Sequence, residues 1–114
     1  MRNPTIVLLL FFLVSQFSYS QNWLTDYSKA KEVAEKEQKK IVLVFSGSDW
    51  CGPCIKLDKD IWQSSAFIDY ANDNFVMLKA DFPKKKKNKL SVEQQEHNDR
   101  LAEKYKAQFP LVVV

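Results

Sequence analysis

The stretch GSDWCGPC, residues 47–54, contains both cysteines of this 114-residue chain, and only a glycine and a proline separate them. Pro53 is poorly tolerated inside a helix but suits its first turn, so we expect a helix to begin at the cysteines and to run through residues 55–62. The preceding segment IVLVFS, residues 41–46, is apolar without alternation, which is typical of a strand covered on both faces. The stretch is therefore predicted to join a buried strand to a helix.

Outward from this stretch, the chain alternates between helical and strand patterns. In NWLTDYSKAKEVAEKEQKK, residues 22–40, the apolar positions Trp23, Tyr27, Ala30 and Ala34 step by three and four, which predicts an amphipathic helix ending near residue 40. Serines at the starts of two later segments predict helix caps, and the second serine forms a capping-box pattern with a glutamine. The later predicted elements are a helix over residues 66–73 capped by Ser64 or Ser65, a strand over 75–82, a helix from Ser91 and Gln94 to about Tyr105, and a strand opening at Pro110.

The two ends of the chain carry separate predictions. Arg2, the apolar run at residues 5–14 and the small Ser18 and Ser20 before Gln21 predict a cleavable secretory signal over residues 1–20. An uncleaved anchor is the alternative, but the run is about half of the roughly 20 residues that span a bilayer. We therefore expect an exported protein, periplasmic or extracellular, without stable membrane insertion. At the other end, the apolar terminus Val112, Val113 and Val114 leads us to expect a missing final strand and helix.

Composition favours one small domain, over residues 21–114. Hydrophobic residues make up 46% of the chain, and the formal charge of +3 comes from interspersed lysines and acids, which does not indicate a nucleic-acid partner. The tract KKKK at residues 84–87 begins a lysine-rich segment through Lys89. We interpret this segment as an exposed, mobile loop, with contact to an acidic partner or an anionic lipid as the alternative.

Three interpretations of the cysteine pair are open: an inert staple, half of a metal site, or a redox centre. A loop of this length constrains the unfolded chain by only about 2 kcal/mol, so a pure staple is a weak use of the spacing. A structural zinc site takes four ligands, and the chain offers two cysteines and the single His97, which we place on the surface of a polar helix. The redox interpretation is favoured, with no metal and no cofactor.

The chemistry of the redox interpretation assigns the two sulfurs different roles. Only a thiolate attacks a disulfide, and a free cysteine, with a pKa near 8.5, is mostly protonated at neutral pH. Cys51 at a helix N-terminus would gain unpaired N–H groups and the positive end of the helix dipole, so we predict an accessible, ionised nucleophile there. Cys54, one turn further in and less exposed, is predicted to be the resolving thiol.

The pentapeptide WCGPC, residues 50–54, the order of predicted elements, and the motifs DFP (81–83) and LAEKY (101–105) followed by FP (109–110) resemble the thioredoxin superfamily, and more narrowly its secreted bacterial members. The resemblance implies an α/β three-layer sandwich around a central mixed sheet. It also implies a monomeric thiol:disulfide oxidoreductase that reduces disulfide-containing proteins and is recharged by a membrane electron donor. A disulfide isomerase, a weak oxidase or a non-catalytic binding module of the same fold are the alternatives.

The resemblance further suggests which residues bind substrate. The Phe109-Pro110 bond is expected to be cis, with the backbone of Phe109 pairing with the substrate chain and its bulky ring narrowing the groove or gripping apolar targets. Gly52 and Pro53 complete the contact surface, and Trp50 either flanks the reactive sulfur or fills the edge of the core.

One departure from the resemblance concerns proton transfer. Phe45 stands six residues before the first cysteine, where many relatives carry a buried aspartate. Asp49 is a possible substitute acceptor, although a solvated or helix-capping carboxylate is the more common use of such a position. Water is the remaining acceptor.

Overall fold

A computed structural model describes residues 22–114, so the signal peptide predicted over residues 1–20 lies outside the described residues. Within that range a four-stranded sheet has the order β1-β3-β2-β4. Strand β3 pairs in parallel with both β1 and β2, whereas β4 runs antiparallel to β2. The predicted mixed sheet is therefore confirmed. Its strands are β1 (Trp23–Leu24), β2 (Lys40–Ser46), β3 (Phe75–Asp81) and β4 (Leu111–Val113).

Helices connect the strands and begin at side-chain caps. Asp26, Ser64 and Ser91 each accept a backbone N–H from the first turn of the helix that follows. Across residues 22–114 we find no helix with the length and hydropathy that a bilayer crossing requires. The helices are α1 (Tyr27–Glu37), α2 (Gly52–Leu57), which continues as a π-helical turn (Asp58–Trp62), α3 (Ser65–Asn74), α4 (Val92–Tyr105) and a short 3₁₀ turn (Lys86–Asn88).

The sheet separates two apolar clusters, which confirms the three-layer architecture. Because side chains alternate across a strand, Leu43 and Phe45 of β2 face one layer and Val42 and Val44 face the other. The first cluster packs against α1 and α4, and the second packs against α3 and Trp62 of the π turn. Both faces of β2 are covered, as its unbroken apolar sequence predicts.

The predicted start of the first helix is wrong. Trp23 and Leu24 form an edge strand that pairs with Met77 and Leu78 of β3, and α1 begins only after its cap at Asp26. The spacing of Trp23 matched a helical period by coincidence. The Trp23 ring instead packs edge-on against Trp62, with 5.8 Å between the ring centroids. Its apolar character therefore reflects the sheet and not the helix.

The prediction that His97 is an ordinary surface residue is also wrong. His97 Nε2 accepts the backbone N–H of Tyr27 at 2.9 Å, and Nδ1 lies 2.8 Å from the side-chain oxygen of Asn98. Asn98 is 1% exposed and donates to the carbonyl of Asp81. These bonds link α4 to the start of α1 and to the end of β3, where the candidate site begins.

Candidate active site

The site lies where β2 and β3 end side by side, because Ser46 and Asp81 are register partners at the same edge of the parallel pair. The chain then turns tightly, and the carbonyl of Gly47 accepts the N–H groups of Trp50 at 3.2 Å and Cys51 at 2.8 Å. The backbone of the turn is tied to the neighbouring strand, since Ser48 donates from its N–H and its hydroxyl to the Asp81 carboxylate. The sheet edge thus sets the position of the cysteines.

Both cysteines lie at the first turn of α2, with Cys51 as its N-cap residue. The N–H of Cys54 donates to Cys51 Sγ at 3.3 Å, so the start of the helix directs a backbone donor at this sulfur. The two residues form a disulfide, with their Cα atoms 5.2 Å apart. A polarised donor of this kind stabilises a thiolate when the disulfide is reduced.

The prediction that Cys51 is freely accessible is wrong for the disulfide state. Cys51 is 5% exposed and Cys54 is 3% exposed, so residue burial does not separate their roles. The asymmetry lies in the backbone instead. Cys51 stands before the helix and accepts a hydrogen bond, whereas Cys54 lies inside α2 and lines a cavity together with Val44 and Trp62.

Trp50 covers the turn and contacts the second half of the site. Its indole N–H donates to the carbonyl of Phe82 at 2.7 Å, and its ring meets the Phe109 ring edge-on at a centroid distance of 5.5 Å. A Cβ on Gly47 would lie 2.4 Å from the indole, so glycine is needed at that position for the close approach. With 38% of its surface exposed, Trp50 flanks the site and is not a core residue.

The Phe109-Pro110 bond is cis, as the resemblance implies. It precedes β4, and the pairing of Leu111 with Phe45 places it beside the end of β2. Phe109 also meets Phe82 edge-on, at a centroid distance of 5.2 Å, which leaves its ring half-buried. The fold therefore brings Trp50 and Phe109 together next to the disulfide.

Gly52 and Pro53 form the exposed outer turn of α2. A Cβ built on Gly52 meets nothing within 4 Å, so the space outside this turn is open to a second molecule. All the residues predicted from sequence thus lie along one edge of the sheet, and their roles in binding remain proposals.

Asp49 neither caps α2 nor approaches the sulfurs through a hydrogen bond. Its carboxylate accepts the N–H groups of Lys84 at 2.9 Å and Lys85 at 3.0 Å, and the side-chain amide of Asn88 at 3.0 Å. The Lys84 N–H, followed by the Asn88 amide, lowers the pKa of this carboxyl below its ordinary value. Asp49 therefore fastens the lysine-rich loop to the cysteine turn. The helix-capping interpretation is wrong, because Cys51 is the N-cap residue, whereas the exposed hydrogen bonds of Asp49 agree with a solvated carboxylate.

A different carboxylate, that of Asp58, lines a cavity together with Cys54. A cavity of about 90 Å³ is lined by Cys54, Asp58, Lys79 and the β2 residues Val44 and Ser46, among others. Lys79 Nζ lies 3.9 Å from Asp58 Oδ1.

Phe45 lies on the opposite face of β2 from this cavity. It belongs to the cluster under α1 and α4 and does not line the cavity. Of the three carboxylate or substitute positions considered, residues 45, 49 and 58, only Asp58 lines the cavity with Cys54.

A sequence model of the family described as thioredoxin-like matches residues 22–114 of this chain. The chain belongs to the thioredoxin-like family. A solved structure named DsbH oxidoreductase is 39% identical to this chain in sequence and matches its structure with a TM-score of 0.75. The match covers 82% of this chain and 64% of that chain. This chain, with its Cys51–Cys54 pair, therefore shares the fold of the DsbH oxidoreductase.

Two relatives from Chlamydia pneumoniae share the family's sequence features. One, named disulfide bond reductase DsbH, is 41% identical over 88 residues, which make up 76% of this chain and 52% of that protein. The other, named thioredoxin-related protein DsbJ, is 32% identical over 84 residues, which make up 74% of this chain and 24% of that protein. The chain thus spans about half of the first relative and about a quarter of the second.

Sequence reasoning missed the Asp58–Lys79 pair and the Asp81 anchor, although signals for the pair were present. Asp58 follows Cys54 by four residues, which places both on one helix face. Lys79 interrupts the apolar sequence FVMLKAD of β3, and a charge in such a strand calls for a partner.

Proposed function

We propose that this protein is an exported thiol:disulfide oxidoreductase that reduces disulfides in other proteins. The observation that carries the proposal is the Cys51–Cys54 disulfide at the start of α2, with a backbone N–H directed at Cys51 Sγ. Membership of the thioredoxin-like family and similarity to a protein named disulfide bond reductase support the same chemistry. The Gly-Pro pair between the cysteines resembles reductants more than oxidants.

The reaction begins from the dithiol form. The Cys51 thiolate attacks one sulfur of the substrate disulfide, forms a mixed disulfide, and releases the other substrate sulfur as a thiolate. Cys54 then loses its proton and attacks Cys51 Sγ, which frees the second substrate sulfur and forms the intramolecular disulfide. Two electrons pass from the Cys51–Cys54 pair to the substrate.

We assign the proton of Cys54 to the Asp58 carboxylate, relayed by water in the cavity that both residues line. A cavity of this volume with polar walls accommodates water. Asp58 Oδ1 lies 3.9 Å from Lys79 Nζ on β3, and Asp58 Oδ2 accepts a hydrogen bond from the side-chain amide of Gln63.

We propose that the substrate binds to the exposed surface around the disulfide. The outer turn at Gly52 and Pro53, the indole of Trp50 and the backbone of Phe109 border the sulfurs and would contact an extended segment that carries the target disulfide. Pro110, which follows Phe109, is the last residue that we assign to this surface.

In the exported setting a reductant must restore the dithiol, because an oxidising compartment does not keep thiols reduced. A membrane protein with a reactive dithiol on its outer side is the partner we propose, and the apolar run at residues 5–14 supports export. Fractionation of cells that make the full chain tests the location, since recovery in the cytoplasm would contradict this part of the proposal.

The experiment on function compares two serine variants. Cys54→Ser is expected to retain attack by Cys51 and to accumulate mixed disulfides with cell proteins, because the resolving sulfur is absent. Cys51→Ser is the matched control and is expected to form none. The adducts are detected as bands that disappear with a reducing agent. Equal trapping by both variants, or none by either, would contradict the proposed roles and favour a non-catalytic module.

The redox potential separates a reductase from its alternatives. A value near the roughly −270 mV of thioredoxin is expected for a reductant, whereas a value above about −150 mV would favour an oxidase or isomerase.

A further inference from the structure

A cluster of unpaired positive charge borders the candidate site. Five lysines, which we call the lysine rim, lie within residues 84–89, and every one is exposed. Among residues 22–114, none of them has a carboxylate within ion-pair distance, although other lysines do, such as Lys79 and Lys39. The Asp49 carboxylate at the base of the loop offsets part of this charge, chiefly that of Lys85, and the other lysines of the rim form no ion pair within the described part of the chain. Its members are Lys84, Lys85, Lys86, Lys87 and Lys89.

The rim is fastened beside the cysteines by several contacts. Asp49, two residues before Cys51, holds the loop by two backbone N–H groups and the Asn88 amide. These bonds direct the Asp49 carboxylate to backbone and amide donors and not to a lysine ammonium group. The loop base therefore keeps a fixed position next to the turn while its side chains remain free to bind.

A direct contact joins the rim to the substrate side of the site. Lys84 Nζ lies over the Trp50 ring, 3.9 Å from its centroid, and the same ring packs against Phe109. A polypeptide that lies on Trp50 and Phe109 to reach the disulfide therefore lies next to Lys84, the first member of the rim. Opposite charges within about 10 Å attract appreciably at 0.1 M salt, so such a segment experiences the charge of several lysines at once.

We propose that the lysine rim selects substrates in which the target disulfide is flanked by aspartate or glutamate. The inference rests on the proposed oxidoreductase function and names its substrate class. Carboxylates beside the target cysteine pair with the rim while the disulfide lies over Cys51, which raises the rate of productive encounter. An acidic polypeptide can place its carboxylates on the lysine rim and its disulfide at Cys51 at the same time. An anionic membrane surface offers only the first of these contacts, so we favour the polypeptide as the ligand of the rim.

Two synthetic peptides with one disulfide test the proposal, one with glutamates and one with glutamines flanking the cysteines. The reduced protein is expected to show a kcat/KM about tenfold higher for the glutamate peptide at low salt. The preference is expected to shrink toward unity at about 0.5 M salt, because screening weakens the attraction. Reduction of both peptides with equal efficiency at low salt overturns the rim proposal and leaves the oxidoreductase proposal standing. Reduction of neither peptide contradicts both.

Two variants that each lose three lysines test whether the preference for the glutamate peptide depends on the lysine rim. Lys85→Gln, Lys86→Gln and Lys87→Gln combined remove three of the five rim charges and are expected to lower the preference strongly while leaving kcat/KM for the glutamine peptide unchanged. The control removes the same charge from α1, by Lys29→Gln, Lys31→Gln and Lys36→Gln combined, and is expected to keep the preference. Loss of the preference in both variants would show a net-charge effect and overturn the proposal.

Vesicles with anionic headgroups test the alternative that the lysine rim binds a membrane surface. We expect the rim variant and the unmodified protein to reduce the glutamate peptide with different efficiency whether or not vesicles are present. Vesicle binding that requires the rim, together with equal reduction of the two peptides, would overturn the proposal and assign the rim to a membrane surface.

Discussion

At the scale of single residues, the site depends on two sulfurs in different surroundings. Cys51 receives the N–H of Cys54 at the first turn of α2, while the Cys54 side chain borders a cavity that also holds Asp58. The positions of both cysteines could be predicted from residues 50–54 alone. The spacing of four residues places Asp58 on the helix face of Cys54, but the cavity that both residues line depends on the packing of α2 against the sheet, which no local pattern records.

Asp58→Asn tests the proton acceptor at this scale. We expect the variant to form the mixed disulfide at the normal rate and to resolve it about a hundredfold more slowly near neutral pH, because Cys54 loses its base. Rapid-quench experiments that follow the mixed disulfide separate the two steps. Asp60→Asn, on the exposed side of the same π turn, is the control and is expected to resolve normally. Unchanged resolution in Asp58→Asn would assign the proton to water instead.

At the scale of elements, the site is held by contacts between loops at the ends of β2 and β3. Ser48, Asp49 and Trp50 each bond to a different residue of the segment 81–85. The two strands and the helix start at Pro53 could be predicted because their signals are local. The contacts between loops could not, since each joins residues more than thirty positions apart and no periodic pattern records them.

Asp49→Asn tests the main loop contact through its pH dependence. The folded-state pKa of Asp49 is lowered, chiefly by the Lys84 N–H, so its stabilising effect is present above the unfolded value of about 3.9 and is lost as pH falls through the folded value. We expect the variant to have a lower urea midpoint than the unmodified protein at neutral pH, and the difference to vanish toward pH 2. Asp73→Asn, exposed on α3, is the control and is expected to leave the midpoint unchanged. A difference that persists in acid would contradict the assigned role.

At the scale of the whole molecule, the sheet supports a helical layer on each face, and α4 connects one layer to the site. Asn98 of α4 bonds to the carbonyl of Asp81, the residue that anchors Ser48 in the cysteine turn. The three-layer plan could be predicted from the alternation of helix and strand and from the resemblance of residues 50–54. The edge strand Trp23–Leu24 could not, because two residues are too short to show a strand period.

Asn98→Ala tests this connection between layers. We expect a loss of about 1–3 kcal/mol in the free energy of unfolding, because the buried partners of the amide lose their hydrogen bonds. Glu96→Ala, on the exposed side of α4, is expected to change it by less than about 0.5 kcal/mol. Urea unfolding of the oxidised proteins measures both values. Equal stability of the two variants would show that Asn98 does not hold the layers together.

The ionisation of Cys51 in the reduced protein tests the account most directly. In the Cys54→Ser variant only one thiol remains, and the rate of its alkylation against pH reports the pKa of that thiol without interference. We expect half-maximal reactivity well below the value of about 8.5 for an unstructured cysteine, because the Cys54 N–H in the first turn of α2 is directed at the sulfur. A midpoint at or above that value, or a thiol that does not react while the protein is folded, would contradict the assignment of Cys51 as the nucleophile.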